Sequence, residues 1–188
     1  MQKKQEMEKT IEQWNVASAG CRQVFAAKMR DYGASWRILR ASSVTDQIFI
    51  KAQRLRSIEE KGEQRVGDDA ESEYKGIVNY SIIGLIQLEL GAGAEEDMPV
   101  DRAIGLYDKF SVQARNLMEM KNHDYGEAWR EMRLSSLTDI ILMRILRIRQ
   151  IEDNEGKTEE SEGIDANYYD ILNYAIFALI KLEENKRK

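Results

Sequence analysis

A chain of 188 residues, 43% hydrophobic and 32% charged, can bury a core and still present a solvated surface. Its net charge of −5 excludes a global attraction to nucleic acid and leaves phosphate binding to local basic clusters. The single cysteine, Cys21, excludes an intrachain disulfide framework, and no uncharged run approaches the ~20 apolar residues of a membrane span. The start, Met1 to Glu6, is of mixed charge and not a signal peptide, so the expected setting is the cytoplasm, with no membrane partner.

A period of 93 residues organises the chain. Lys28, Asp31-Tyr32-Gly33, Trp36-Arg37, Arg40, Ser42-Ser43 and Thr45-Asp46 return as Lys121, Asp124-Tyr125-Gly126, Trp129-Arg130, Arg133, Ser135-Ser136 and Thr138-Asp139. The match runs on through Arg54/Arg147 and Ile58-Glu59/Ile151-Glu152. After one inserted residue it resumes as Asn79-Tyr80/Asn173-Tyr174. An internal period precedes any fold assignment, because what both copies keep is either a structural need or a site. Cys21 faces Ala114 in the second copy, so the thiol lies outside the shared design and is expected to be packed and inert.

In chain order, helical periodicity predicts a first helix over 5–30, ending near Asp31-Tyr32-Gly33, where glycine suits a left-handed cap. A second helix starts at Ser43, where Ser43-Val44-Thr45-Asp46 fits a capping pattern. An acidic, glycine-containing loop is expected over 61–72. A third helix over 73–90 is apolar around most of its girth and belongs in the middle of a bundle. The stretch 91–101 is glycine-rich, acidic and holds the only proline, Pro99, so it reads as a linker outside both cores. The second copy repeats the order over 101–122, from Ser136, and over 166–184, with a loop over 154–165. The chain is therefore all-α: a first repeat over 1–90, a linker over 91–100 and a second repeat over 101–188. Two pseudo-symmetric three-helix units would pack about a two-fold axis into one helical bundle.

Several residues can carry chemistry. The apolar stripe of the second helix, Val44, Ile48, Leu55 and Ile58, is broken by Lys51, and the second copy's stripe is broken by Arg144 at the same place. Arg54 and Arg147 lie one turn further on. Desolvating a cation costs several kcal/mol unless it is paired. Two readings follow: an internal salt bridge or solvent-reaching side chain, or an anion pocket for phosphate or carboxylate. The corners Lys28, Asp31, Tyr32, Trp36, Arg37, Arg40 and Lys121, Asp124, Tyr125, Trp129, Arg130, Arg133 combine bidentate donors with stacking rings. That mixture suits a nucleotide or another phosphate-containing small molecule; the plainer reading is a rigid corner with the tryptophans as core plugs. His123, with Arg30 as its twin, is expected at the surface.

On the third helices, Glu73 and Gly76 stand where the second copy has Asn167 and Asp170, followed by Asn79 and Asn173. Glu73 and Asp170 either serve one composite metal site, with magnesium as the candidate ion, or pair with the cations of the second helices. Glu59-Glu60-Lys61-Gly62-Glu63 is read as a solvated acidic cluster. No phosphate-binding glycine loop, zinc spacing or nucleophilic triad is present.

The order Lys-x-x-Asp-Tyr-Gly-x-x-Trp, Ser-x-Thr-Asp, Lys/Arg-x-x-Arg and Asp-x-x-Asn-Tyr resembles the nucleotide modification associated domain family, in two tandem copies over 17–90 and 101–184. The fused form is similar to that of Bacteroidetes-type bacteria. The resemblance implies a role near nucleotide or base modification, and a fold similar in outline to MazG-like NTP pyrophosphohydrolases. The letters Glu-Glu-x-x-Glu of those enzymes fall at Glu59, Glu60 and Glu63, late in the helix. Their Glu-x-x-Asp survives only as Glu73-x-x-Gly76 and Asn167-x-x-Asp170. The expectation is nucleotide or nucleotide-derivative binding at Lys51, Arg54, Arg144 and Arg147, with metal-dependent pyrophosphate hydrolysis as its enzymatic extension. A non-catalytic helical interaction module held by internal salt bridges is the alternative, and a homodimer is the expected assembly if one forms.

Overall fold

The computed structural model describes residues 2–62 and 69–187. Glu63 of the acidic cluster and the middle of the 61–72 loop lie outside the described residues. Six helices carry the fold: α1 Gln2–Tyr32, α2 Ala41–Lys61, α3 Ala70–Leu90, α4 Val100–Tyr125, α5 Leu134–Asp153 and α6 Ile164–Lys186. Among the described residues there is no strand, and no helix is long and apolar enough to cross a membrane.

The two copies pack with each helix against its own counterpart: α1 on α4, α2 on α5 and α3 on α6. Reciprocal contacts give the pseudo-two-fold its physical content. Ser18 and Ser111, one period apart, share a hydrogen bond of 3.0 Å, so the axis passes between them. Asn79 donates to the Cys21 carbonyl and accepts from the Tyr107 hydroxyl; Asn173 donates to the Ala114 carbonyl and accepts from the Trp14 indole. The Thr45 and Tyr168 hydroxyls lie 2.7 Å apart, as do those of Thr138 and Tyr74. Thr45 donates to Glu152 at 2.8 Å, and Thr138 to Glu59 at 2.8 Å. Leaving one of the buried groups among these, such as Asn79, Asn173, Thr45 or Thr138, without its partner costs about 1–3 kcal/mol, so these bonds tie the second copy to the first.

α3 and α6 are buried along most of their length, as expected from their apolar girth. Glycine ends α1 and α4 as expected: Gly33 has φ +68° and Gly126 has φ +64°. Two expectations fail. The second helices begin at Ala41 and Leu134, with Arg40 and Arg133 as N-caps and no side-chain cap bond, so Ser43 and Ser136 fall inside the first turn. Thr45 and Thr138 are instead turned inward to the partner copy's tyrosines. The stretch 91–99 is not outside the core either: Met98 is 3% exposed, and Gly93 donates its backbone N–H to the Arg37 carbonyl at 2.8 Å. A buried methionine and a backbone tether hold the connector against the first copy.

Candidate functional site

Each corner follows the glycine with a short 3-10 helix, Ser35–Ile38 and Ala128–Glu131, absent from the sequence expectation. Its tryptophan turns inward. Trp36 is 8% exposed and donates its indole N–H to the Met29 sulfur at 3.4 Å; Trp129 is 4% exposed and stacks on Phe177 at 4.2 Å between ring centres. The following arginine leaves the corner. Arg37 is buried and donates to the Gln87 side chain and, at 2.7 Å, to the Gly91 carbonyl. Arg130 is held by Glu127, Glu184, Thr10 and Gln13. Arg37 thus fastens its corner to α3 and the connector, and Arg130 fastens its corner to α1 and α6. Arg40, Arg133, Asp31, Asp124 and Tyr125 are exposed around the corners, and His123 pairs with Asp124 at the surface.

The cations of the second helices meet carboxylates of their own copy. Glu73, with its side chain 5% exposed, takes Lys51 Nζ at 3.3 Å and Arg54 Nη1 at 2.5 Å. Asp170, also 5% exposed, takes Lys121 Nζ at 2.5 Å and Arg144 Nη2 at 2.7 Å. The Arg144 contact is an ion pair and not an aligned hydrogen bond, because Asp170 Oδ2 accepts no N–H along its axis. Arg144 also donates to Asn167 at 3.2 Å. Two of the three cations of each copy thus share one buried carboxylate: Lys51 and Arg54 meet Glu73, leaving Lys28, and Lys121 and Arg144 meet Asp170, leaving Arg147. That carboxylate sits one helical turn apart in the two copies.

The composite metal site does not form: Glu73 and Asp170 each serve their own copy. Among the described residues no three His, Cys, Asp or Glu side chains come together to hold an ion. Carboxylates flanked by ammonium and guanidinium groups do not fit a hard divalent ion, which needs several oxygen donors.

The first copy opens into a cleft of about 730 Å³ between α1, the 3-10 turn, α2 and α3. That is within the range of small-molecule sites, about 300–1,000 Å³. Phe25, Tyr32, Trp36, Ile38 and Tyr80 supply apolar and aromatic wall; Lys28, Lys51 and Lys75 supply ammonium groups; Glu73 is the carboxylate. Of the residues nominated from sequence, the fold brings Lys28, Tyr32, Trp36, Lys51, Asn79 and Glu73 together here. Asn79 touches the cleft, but both ends of its amide are engaged in fixing α3 to α1 and α4. Lys28 is exposed, and its side chain makes no hydrogen bond or ion pair with another described residue.

Sequence reasoning missed Ile38, Tyr80 and Lys75, and read Gly76 only as a lost carboxylate. A glycine inside an apolar helix signals close approach. Here the Lys51 stem crosses it, and a Cβ at Gly76 would lie 2.7 Å from Lys51 Cε.

Among the described residues, the equivalent place in the second copy is narrower. Asp170 replaces Gly76 and binds Lys121, and Phe177 replaces Ile83 and covers Trp129. A smaller hollow of about 380 Å³ remains beside Lys121 and Tyr169. Arg147, exposed and without an ion-pair partner among the described residues, borders a separate groove of about 680 Å³ that has no aromatic lining and carries Glu160 and Glu162.

No curated protein matches the chain, and no solved structure does. The sequence does match one family, described as nucleotide modification associated domain 1, twice: over residues 28–88 and over 121–182, together well over half of the chain. Both segments start at the corner lysine and end within the third helix of their copy, which spans the elements that build the cleft and its narrower counterpart. The chain therefore belongs to the nucleotide modification associated domain 1 family, carried as two tandem copies.

Proposed function

We propose that the first-copy cleft binds a nucleotide or nucleotide derivative. The observation that carries this is the pairing, in one cleft, of an aromatic wall with three ammonium groups, of which Lys51 meets Glu73, Lys75 meets Glu71 and Lys28 is left without a partner among the described residues. A base has a π-face for Tyr32 and Tyr80, and phosphates are the natural counter-charge for Lys28, Lys51 and Lys75. The family's description points to the same class of ligand. Hydrolysis is not part of the proposal, because Glu73 already holds Lys51 and Arg54.

A thermal-shift screen of nucleoside mono-, di- and triphosphates tests the reading. A ligand at a hundredfold its Kd stabilises by about 2.7 kcal/mol, which for this length raises Tm by roughly 5–11 °C. Tyr32→Ala should cut that shift while leaving the unliganded Tm near the parent's, since Tyr32 is 53% exposed. If no nucleoside phosphate shifts the protein, the nucleotide reading fails. The interaction-module reading then gains, because Lys51, Arg54 and Arg144 already form internal ion pairs. Pyrophosphate release with added magnesium would instead favour metal-dependent hydrolysis.

A further inference from the structure

The two copies place their carboxylates differently around matching cations, and this difference locates the ligand's anionic group. In the second copy, Asp170 lies between Lys121 at 2.5 Å and Arg144 at 2.7 Å. The equivalents of those cations are Lys28 and Lys51, and the equivalent of Asp170 is Gly76. Lys28, Lys51 and Gly76 line the same cleft. The first copy's carboxylate, Glu73, stands three residues earlier on α3, so it meets Lys51 and Arg54 and leaves Lys28 with no partner among the described residues. The chain supplies its own anion at this point in one copy and supplies only a glycine in the other.

We propose that a phosphate group of the ligand sits over Gly76, between Lys28 and Lys51, in the place that the Asp170 carboxylate takes in the second copy, and that each chain binds one ligand, in the first copy. The proposal deepens the nucleotide reading and rests on it for the base, while the anion position rests on the comparison of copies. Gly76 matters because its missing Cβ lets the Lys51 side chain cross the helix there, with Cε 2.7 Å from where a Cβ would stand. A side chain at this position would push the Lys51 ammonium out of place, and a carboxylate would supply the anion itself. The second copy is an internally closed version of the same site: Asp170 neutralises its lysine, and Phe177 lies flat on Trp129. Two cations flanking one anion is a strong arrangement, since hydrogen bonds between charged partners are roughly twice as strong as neutral ones.

Titration calorimetry with inorganic pyrophosphate and with nucleoside monophosphates tests this on the parent, Gly76→Asp, Lys28→Met and Asp170→Gly. The parent should bind one equivalent. Gly76→Asp should weaken both probes at least tenfold by installing the second copy's closure. Lys28→Met, at an exposed position, should weaken them comparably without a change in unliganded Tm, which keeps the test valid if Gly76→Asp folds poorly. Asp170→Gly should raise the stoichiometry for pyrophosphate from one to two, and not for nucleotides, because Phe177 still covers the second aromatic wall. Nucleotide binding that Gly76→Asp and Lys28→Met leave unchanged would overturn this inference and spare the nucleotide reading. Pyrophosphate binding with this pattern, and no gain from an attached nucleoside, would uphold it and sink the nucleotide reading. Two equivalents bound by the parent, or none of either probe, would overturn it.

Discussion

Removing both cations from Glu73 tests the ion pairs that the two copies share. Glu73 has a side chain 5% exposed, while Lys51 and Arg54 are 27% and 26% exposed. In Lys51→Met the shorter Arg54 contact at 2.5 Å remains, and the lost contact is the longer one, made by a side chain that reaches water. The cost should be about 1 kcal/mol or less. In Lys51→Met with Arg54→Met the carboxylate stays buried with neither cation, and stranding one member of a buried pair costs about 3–5 kcal/mol. At about 2–4 °C per kcal/mol for a chain of this length, the double variant should lose roughly 6–20 °C and the single variant no more than about 4 °C. Urea unfolding gives the free energies directly, and an unchanged m-value shows that the denatured state is not the cause. Adding Glu73→Gln to the double variant should restore most of the loss, because a neutral amide needs no counter-ion. A double variant within about 1 kcal/mol of the parent, or more stable than it, would refute the pairing as a stabilising element and return both cations to a ligand.

Three further outcomes are expected. Gly33→Ala and Gly126→Ala should each cost about 1 kcal/mol or more in urea unfolding, because φ of +68° and +64° strains any Cβ. Hydrogen bonds from Lys186 and Lys75 lower the Glu71 carboxyl from 4.5 to about 2; a depressed acid stabilises above its unfolded pKa and loses that contribution as pH falls. Glu71→Gln should therefore be less stable than the parent above about pH 4.5, and the gap should close toward pH 2. Burial pushes the Cys21 thiol up to about 12 and leaves it 0% exposed, so a thiol reagent should label it at the rate of unfolding and no faster.

The sequence by itself determined the helical class, the repeat and the glycine-ended corners. All three rest on local chemistry: 3.6-residue periodicity, identity at a fixed offset, and a backbone conformation that only glycine takes easily. It also showed that a cation breaks the apolar stripe twice, but not what that cation meets. Partner choice is a matter of distance in space, and Glu73 and Asp170 lie on another helix, one turn out of register between the copies. Thr45 shows the same limit: its spacing fits a helix cap, yet its hydroxyl lies against Tyr168, 123 residues away. Arg37 and Arg130 have the residue type of a phosphate ligand, and packing turns them to carbonyls and side chains behind the corner. How wide a cleft each copy holds was decided by tertiary structure alone. The lack of a Cβ at Gly76 and the stacking of Phe177 on Trp129 widen one site and narrow its twin, although both copies carry the same corner motif.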